Sequence, residues 1–197
     1  MSVPEIEEIN KSAEFFAKLK RIKINGKAIE TPRKVISSSN NKYSENLVIN
    51  NQEIKGMSEI FRKLDKPTLT SMKQYSAIER DVLNSLIKPV EQSYSPSNIN
   101  YFLLRYDTRT DTEIKLKSRT SQVPNDEETR FLLDILTHRY NDFLIPPIMP
   151  YLTGDQIITF LNSFFELNSS FRNKTIAGLV PSTLSRDDQL KIIEFYI

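Results

Sequence analysis

The chain has no cysteine, a single histidine and only four glycines in its 197 residues. Without cysteine there is no disulfide, no thiolate zinc site and no cysteine nucleophile. With His138 alone, a zinc site built from several histidines is excluded. Carboxylates remain open to a hard cation, but no metal and no cofactor is expected. The sparse glycines exclude a glycine-rich phosphate loop, since only Gly178 lies near the helix start after Pro181, Ser182 and Thr183. A large charge excess is also missing. Basic and acidic side chains number 27 and 25, a net charge of +2, which excludes a strong general polyanion binder and leaves room for a local basic face. No apolar run approaches the length of a membrane-spanning helix. Residues 1–20 lack the basic-then-apolar order of a secretory signal. A cytoplasmic protein without membrane contact is expected.

What is present is a cadence. Short apolar runs begin near Val35, Thr68, Ile99, Phe143 and Lys174, mostly spaced at roughly 30 residues, the size of one strand-crossover-strand unit. A hydrophobic share of 39% is low but adequate for a core. The expected fold is α/β in a single domain, 1–197. It has an N-terminal helix (1–20), a β-hairpin (21–32) and about five βα units in 33–197, arranged as an incomplete (β/α) barrel. A closed eight-stranded barrel takes about 250 residues, so the sheet is open or this is the N-terminal part of a longer barrel. The alternative is an all-α helical scaffold in which the segments around Thr68, Phe143 and Lys174 join packed helices.

The element readings are specific. Ile6, Ile9, Ala13, Phe16 and Ala17 recur at helical spacing within 4–20. Ile22 and Ile24 alternate with Arg21 and Lys23 before Asn25-Gly26, the strongest two-residue hairpin signal. A short strand begins at Val35, and a second small hairpin centres on Asn50-Asn51. Ile54, Met57, Ile60, Phe61 and Leu64 predict a helix ended by Asp65-Lys66-Pro67. A strand is predicted over 68–76, a helix over 77–90, a doubly buried strand over 99–107 and a strand over 113–117. A helix follows over 127–140. The run 143–150 contains Pro146, Pro147 and Pro150, so it is an edge or a strand with interrupted pairing. Thr153 caps a further helix, 175–182 is the last strand, and Ser185 caps the final helix.

The segment RIKINGKAIETPRKVIS resembles the N-terminal hairpin and first strand of the tRNA-guanine transglycosylase superfamily, with Ile29, Thr31 and Pro32 in an Ile-x-Thr-Pro element. The resemblance implies a barrel whose floor is closed by the hairpin, and purine base exchange on tRNA through an aspartate nucleophile. Ser37, Ser38 and Ser39 stand where the family has a proline-valine pair. The aspartate-rich loop is absent, its strand ending at Arg105, Tyr106 and Asp107. The nucleophile and the cysteine zinc cluster would lie past residue 197. No catalytic residue is carried over, and the implied relative is incomplete or inactive on its own.

Parallel strands gather their C-terminal ends at one rim, which singles out Ser38, Asn40, Lys73, Gln74, Arg105, Asp107 and Arg109 as ligand-binding candidates. Arg105 and Arg109 suit a phosphate or carboxylate, and the ordinary reading is a loop with a local ion pair. Ser38 and Asn40 offer hydroxyl and amide groups, and equally they are ordinary loop residues. Lys73 and Gln74 sit beside Tyr75, which could stack on a base or simply pack as a half-buried core residue. His138 suits a helix C-terminus. The first-turn acids Asp126, Glu127, Glu128, Asp187 and Asp188 suit helix N-termini. Two functions are therefore expected as alternatives. One is a nucleic-acid-related protein with tRNA or another nucleic acid as partner. The other is a non-enzymatic interaction scaffold whose protein partner, or second copy, completes an open sheet edge.

Overall fold

The computed structural model describes residues 5–11, 18–31, 35–37, 48–49, 52–53, 56–75, 98–137, 141–171 and 176–197. The N-terminal part is an antiparallel sheet of β1 (Glu5–Lys11), β2 (Lys18–Ile24) and β3 (Lys27–Thr31), in that order. Asn25 and Gly26 adopt φ of 50° and 77°, the left-handed pair a two-residue hairpin turn requires. The helix expected over 4–20 is not formed. Strand β1 occupies its start because Glu5, Glu7 and Glu8 fall opposite Lys23, Arg21 and Lys20, and opposite charges across a ladder favour pairing. Ile6, which helical spacing would turn inward, is 62% exposed.

The central sheet is parallel, in the order β4 (Val35–Ser37), β7 (Met57–Asp65), β8 (Ile99–Asp107). Strands β5 (Val48–Ile49) and β6 (Gln52–Glu53) pair separately as a small hairpin. Strand β7 replaces the helix expected over 54–64. Its two most buried residues, Ile60 and Leu64, are four apart, a spacing that fits a helix face and one face of a strand equally well. The strand expected over 68–76 is instead helix α1 (Lys66–Tyr75). Asp65-Lys66-Pro67 starts this helix rather than ending one. The Asp65 carboxylate accepts the Thr68 amide at 2.8 Å, and proline is tolerated in a first turn.

Helix α2 (Asp111–Lys115) stands where a strand was expected over 113–117. Thr110 and Glu113 form a reciprocal capping box that satisfies two first-turn amides. Three longer helices follow: α3 (Asp126–Leu136), α4 (Gly154–Phe171) and α5 (Arg186–Tyr196). Ser185 caps α5, accepting the Asp188 amide at 3.2 Å. Thr153 and Gln156 cap α4. The helix expected over 77–90 lies outside the described residues.

The expected run of five βα units closing toward a barrel is not seen. Among the described residues only β4, β7 and β8 share continuous parallel ladders. The proline-containing segment beyond β8 pairs at isolated points: the Ile148 amide donates to the Leu104 carbonyl at 2.7 Å and the Tyr106 amide to the Ile148 carbonyl at 2.8 Å. The segment expected as the last strand contributes one bridge, Ile176 to Leu144. Prolines without amide donors permit such contacts but not a ladder. The strands among the described residues equally overturn the all-α alternative.

The helices cover one face of the parallel sheet. Ile60, Leu64, Phe102, Leu104 and Tyr106 from the strands meet Leu132 and Leu136 of α3, Phe160 and Phe164 of α4 and Ile192 of α5. Burial of each such side chain contributes about 1.5–3 kcal/mol. On the opposite face, Ile99 and Tyr101 pack with Ile29 and Phe143, and with Ile22 and Ile24 of the hairpin. The β2–β3 hairpin therefore sits against the N-terminal end of β8. Asn25 and Lys27 fasten it to Asp142, through the backbone carbonyl and the carboxylate respectively, each at 2.6 Å.

Candidate functional site

The register of β7 and β8 builds a ladder of facing side chains on the sheet surface away from the helices. Met57 faces Ile99 at the hairpin end. Glu59 faces Tyr101, whose hydroxyl donates to Glu59 Oε2 at 3.0 Å. Phe61 then faces Leu103, Lys63 faces Arg105, and Asp65 faces Asp107. Side chains two apart on one strand share a face, so these rungs form one surface that passes from apolar to basic to acidic. Burial, and then the bond to the Glu59 carboxylate, hold the Tyr101 hydroxyl well above the usual phenol range. It is a protonated donor at neutral pH.

The two charged rungs differ in how they are satisfied. Like charges facing each other across paired strands destabilise a sheet, and both rungs bring like charges together. On the acidic rung each carboxylate has its own donor. Asp65 takes the Thr68 amide. Asp107 takes Arg109 through Nε at 2.9 Å and Nη2 at 2.7 Å. Burial pushes the Asp107 carboxyl up, but the side-chain and backbone bonds from Arg109 outweigh it and leave Asp107 below its ordinary value. On the basic rung, Lys63 is exposed and Arg105 half-buried. Among the described residues neither makes a hydrogen bond or a salt bridge, and Arg105 adds only its field to Asp107.

Arg109 is fully engaged elsewhere. Besides the fork on Asp107, its Nη1 donates to the Ser118 carbonyl at 2.9 Å, and its guanidinium lies 3.4 Å from the Tyr151 ring centroid, a cation–π contact. It ties the loop after β8 to the segment before α4. Thr108 and Ser121 add a side-chain hydrogen bond to the same junction. Beneath it, the Tyr106 hydroxyl and Lys66 Nζ both reach Glu128 Oε1, at 3.4 and 3.2 Å. Burial, then the Glu128 charge, hold the Tyr106 hydroxyl well above its usual range.

The structure thus separates the residues singled out from the sequence. Arg105 lies on the face away from the helices, in register with Lys63. Asp107 and Arg109 pair with each other, the local ion pair of the ordinary reading. Lys73 and Gln74 fall in helix α1, not at a strand end. Ser38 and Asn40 lie outside the described residues, as does His138. Sequence reasoning missed Lys63 and its neighbours Phe61 and Asp65, because the segment was read as a helix. Period two places Ile60 and Leu64 on one face and Glu59, Phe61 and Lys63 on the other, but Arg62 shares the first face and the spacing fits a helix as well, so no local signal decides it. Among the described residues no group of three His, Asp or Glu side chains is placed to hold a metal ion, and no helix is long and apolar enough to cross a membrane. Comparison with models of known families, with curated proteins and with solved structures gives no match to this chain.

Proposed function

We propose that this chain is a nucleic-acid-binding protein that takes an RNA phosphate on the face of its parallel sheet away from the helices, at Lys63 and Arg105. The observation that carries this reading is the basic rung: two cations in register, neither in a hydrogen bond or salt bridge among the described residues, beside two carboxylates that already have donors. A bound phosphate would relieve the repulsion between them, and the arginine fork matches two of its oxygens. The resemblance of the hairpin segment to the tRNA-guanine transglycosylase superfamily makes tRNA the RNA to test first. The proposal concerns binding and assigns no catalytic residue.

The test is tRNA binding across a salt series. Affinity should fall as salt rises, because phosphate contacts release counterions. Replacing Lys63 and Arg105 together by alanine should flatten the logarithmic salt slope by about 0.7–0.9, the share of one neutralised phosphate. Absence of measurable binding at low salt would remove the proposal.

The second reading, a protein-interaction domain, draws on Leu190 and Ile193 of α5, which are 47% and 41% exposed one helical turn apart. It draws also on β4, which has β7 as its one partner among the described strands. A concentration-dependent increase in mass on light scattering, lost in Leu190→Lys, would favour it over RNA binding.

A further inference from the structure

The rung below the basic pair gives the ligand a shape. Phe61 faces Leu103. Both are half-buried and neither belongs to the helix-side core or to the hairpin-side cluster. Their neighbours in sequence, Ile60, Phe102 and Leu104, are all within 4% of complete burial. Phe61 keeps part of its surface accessible next to the basic rung and packs in neither of the two described clusters. It lies two residues, about 6.6 Å along a strand, from Lys63. That is comparable to the reach from a nucleobase to its own 5′-phosphate. On the other side, Glu59 and Tyr101 occupy each other and mark the polar floor of the same surface.

We infer that the Phe61–Leu103 and Lys63–Arg105 rungs form a single-nucleotide subsite, with the base against Phe61 and its phosphate between Lys63 and Arg105. This rests on the RNA-binding reading above and adds to it a position for one base. Stacking on an aromatic face tolerates any base, while the cations hold the backbone. The acidic rung above limits the site. Asp65 and Asp107 would repel a second phosphate placed further along the strands, so the subsite takes one phosphate and the backbone must turn away there.

The experiment compares Phe61→Ala and Phe61→Leu with Lys63→Ala in the full chain, each checked for an unchanged fold by circular dichroism, using a short single-stranded RNA across a salt series. Loss of one stacked base should weaken affinity about 5- to 100-fold in Phe61→Ala. Phe61→Leu keeps apolar volume but loses the π face, and should weaken binding in the same direction. Neither should change the salt slope, because stacking releases no counterions. Lys63→Ala should reduce that slope, by at most about 0.7. In a parallel arm, AMP should shift the NMR signals of both the Phe61 ring and the Arg105 guanidinium, while ribose 5-phosphate and inorganic phosphate shift Arg105 alone. RNA binding that depends on Lys63 but is indifferent to both Phe61 variants would overturn the nucleotide subsite and leave the RNA reading standing. No RNA binding by the unaltered chain would overturn the RNA reading itself. Equal Phe61 shifts with AMP and with inorganic phosphate would also overturn the subsite, since the base would then add nothing.

Discussion

Lys27 reaches across from the N-terminal hairpin to Asp142, its ammonium 2.6 Å from Oδ2 of a carboxylate that is 8% exposed. The same oxygen accepts the Asn100 amide at 2.7 Å, so one buried atom joins hairpin, central strand and the segment that follows α3. Lys27→Met keeps the aliphatic stem but leaves the carboxylate with one charged partner fewer. The expected loss is about 2 kcal/mol on denaturant unfolding, the cost of depriving a buried charged acceptor of its donor. Exchange of the β2 and β3 amides should accelerate more than that of β8, because the hairpin is what is released. Equal acceleration everywhere would mean that the contact does not fasten the hairpin separately.

Asp107 supplies an acid-side signature. Its carboxyl is pushed up by burial and brought down further by Arg109, to a net position below its ordinary value. A carboxyl lower in the folded state than in the unfolded one stabilises the fold above its unfolded pKa, near 3.9. That contribution is lost as pH falls through the folded value. Unfolding monitored from pH 5 downward should therefore show a decline below about pH 4 that is shallower in Asp107→Asn. An identical decline in both would assign the acid sensitivity to other carboxylates.

The parts of this fold that could be read from the chain are those decided locally. Asn25-Gly26 selects a hairpin because its two residues tolerate positive φ. The run 99–107 is apolar enough to need burial on both faces, and Ser185 and Thr153 carry their own capping chemistry. The failures lie where two periods coincide or where a distant partner decides. Ile60 and Leu64 satisfy a helix and a strand alike, and the register with β8 settles the matter. Thr68 and Thr70 favour a strand locally, but the Asp65 cap and the burial of Leu69 draw them into a helix. Glu5, Glu7 and Glu8 look like a helix N-terminus until β2 supplies their counter-charges. The candidate site divides in the same way. Arg105 was legible because its strand was. Lys63 was not, because its meaning comes from standing opposite Arg105, which no single segment encodes.

Glu128 gives a test of how the helix layer is anchored. Its carboxylate returns to the Asn125 amide at 3.0 Å while Asn125 accepts the Glu128 amide at 2.9 Å, and its other oxygen serves Lys66 and Tyr106. Asn125→Ala removes only the cap and should cost about 1 kcal/mol. Glu128→Ala strips the return bond and also leaves the fully buried Tyr106 hydroxyl without its acceptor, so it should cost more, about 2–3 kcal/mol. Equal effects would show that the contact with Tyr106 adds little to the cap.

The start of α4 packs backbone against the Asp188 side chain at the start of α5. A Cβ built on Gly154 would lie 2.6 Å from the Cβ of Asp188, a distance no rotamer change can relieve because Cβ moves only with its backbone. Asp188 is itself held in place, accepting the Ser185 hydroxyl at 2.9 Å while its amide returns to Ser185 Oγ at 3.2 Å. Gly154→Ala should therefore force the two helix starts apart, at a cost of about 1–3 kcal/mol as for other overpacked contacts. Asp188→Ala should not rescue it, since the clashing Cβ remains, whereas Asp188→Gly should recover much of the loss despite its own helix penalty of about 1 kcal/mol. Rescue by Asp188→Ala would place the strain in the carboxylate instead. In that case the spacing of the two helices would be set by the charge at the start of α5, and not by the glycine at the start of α4.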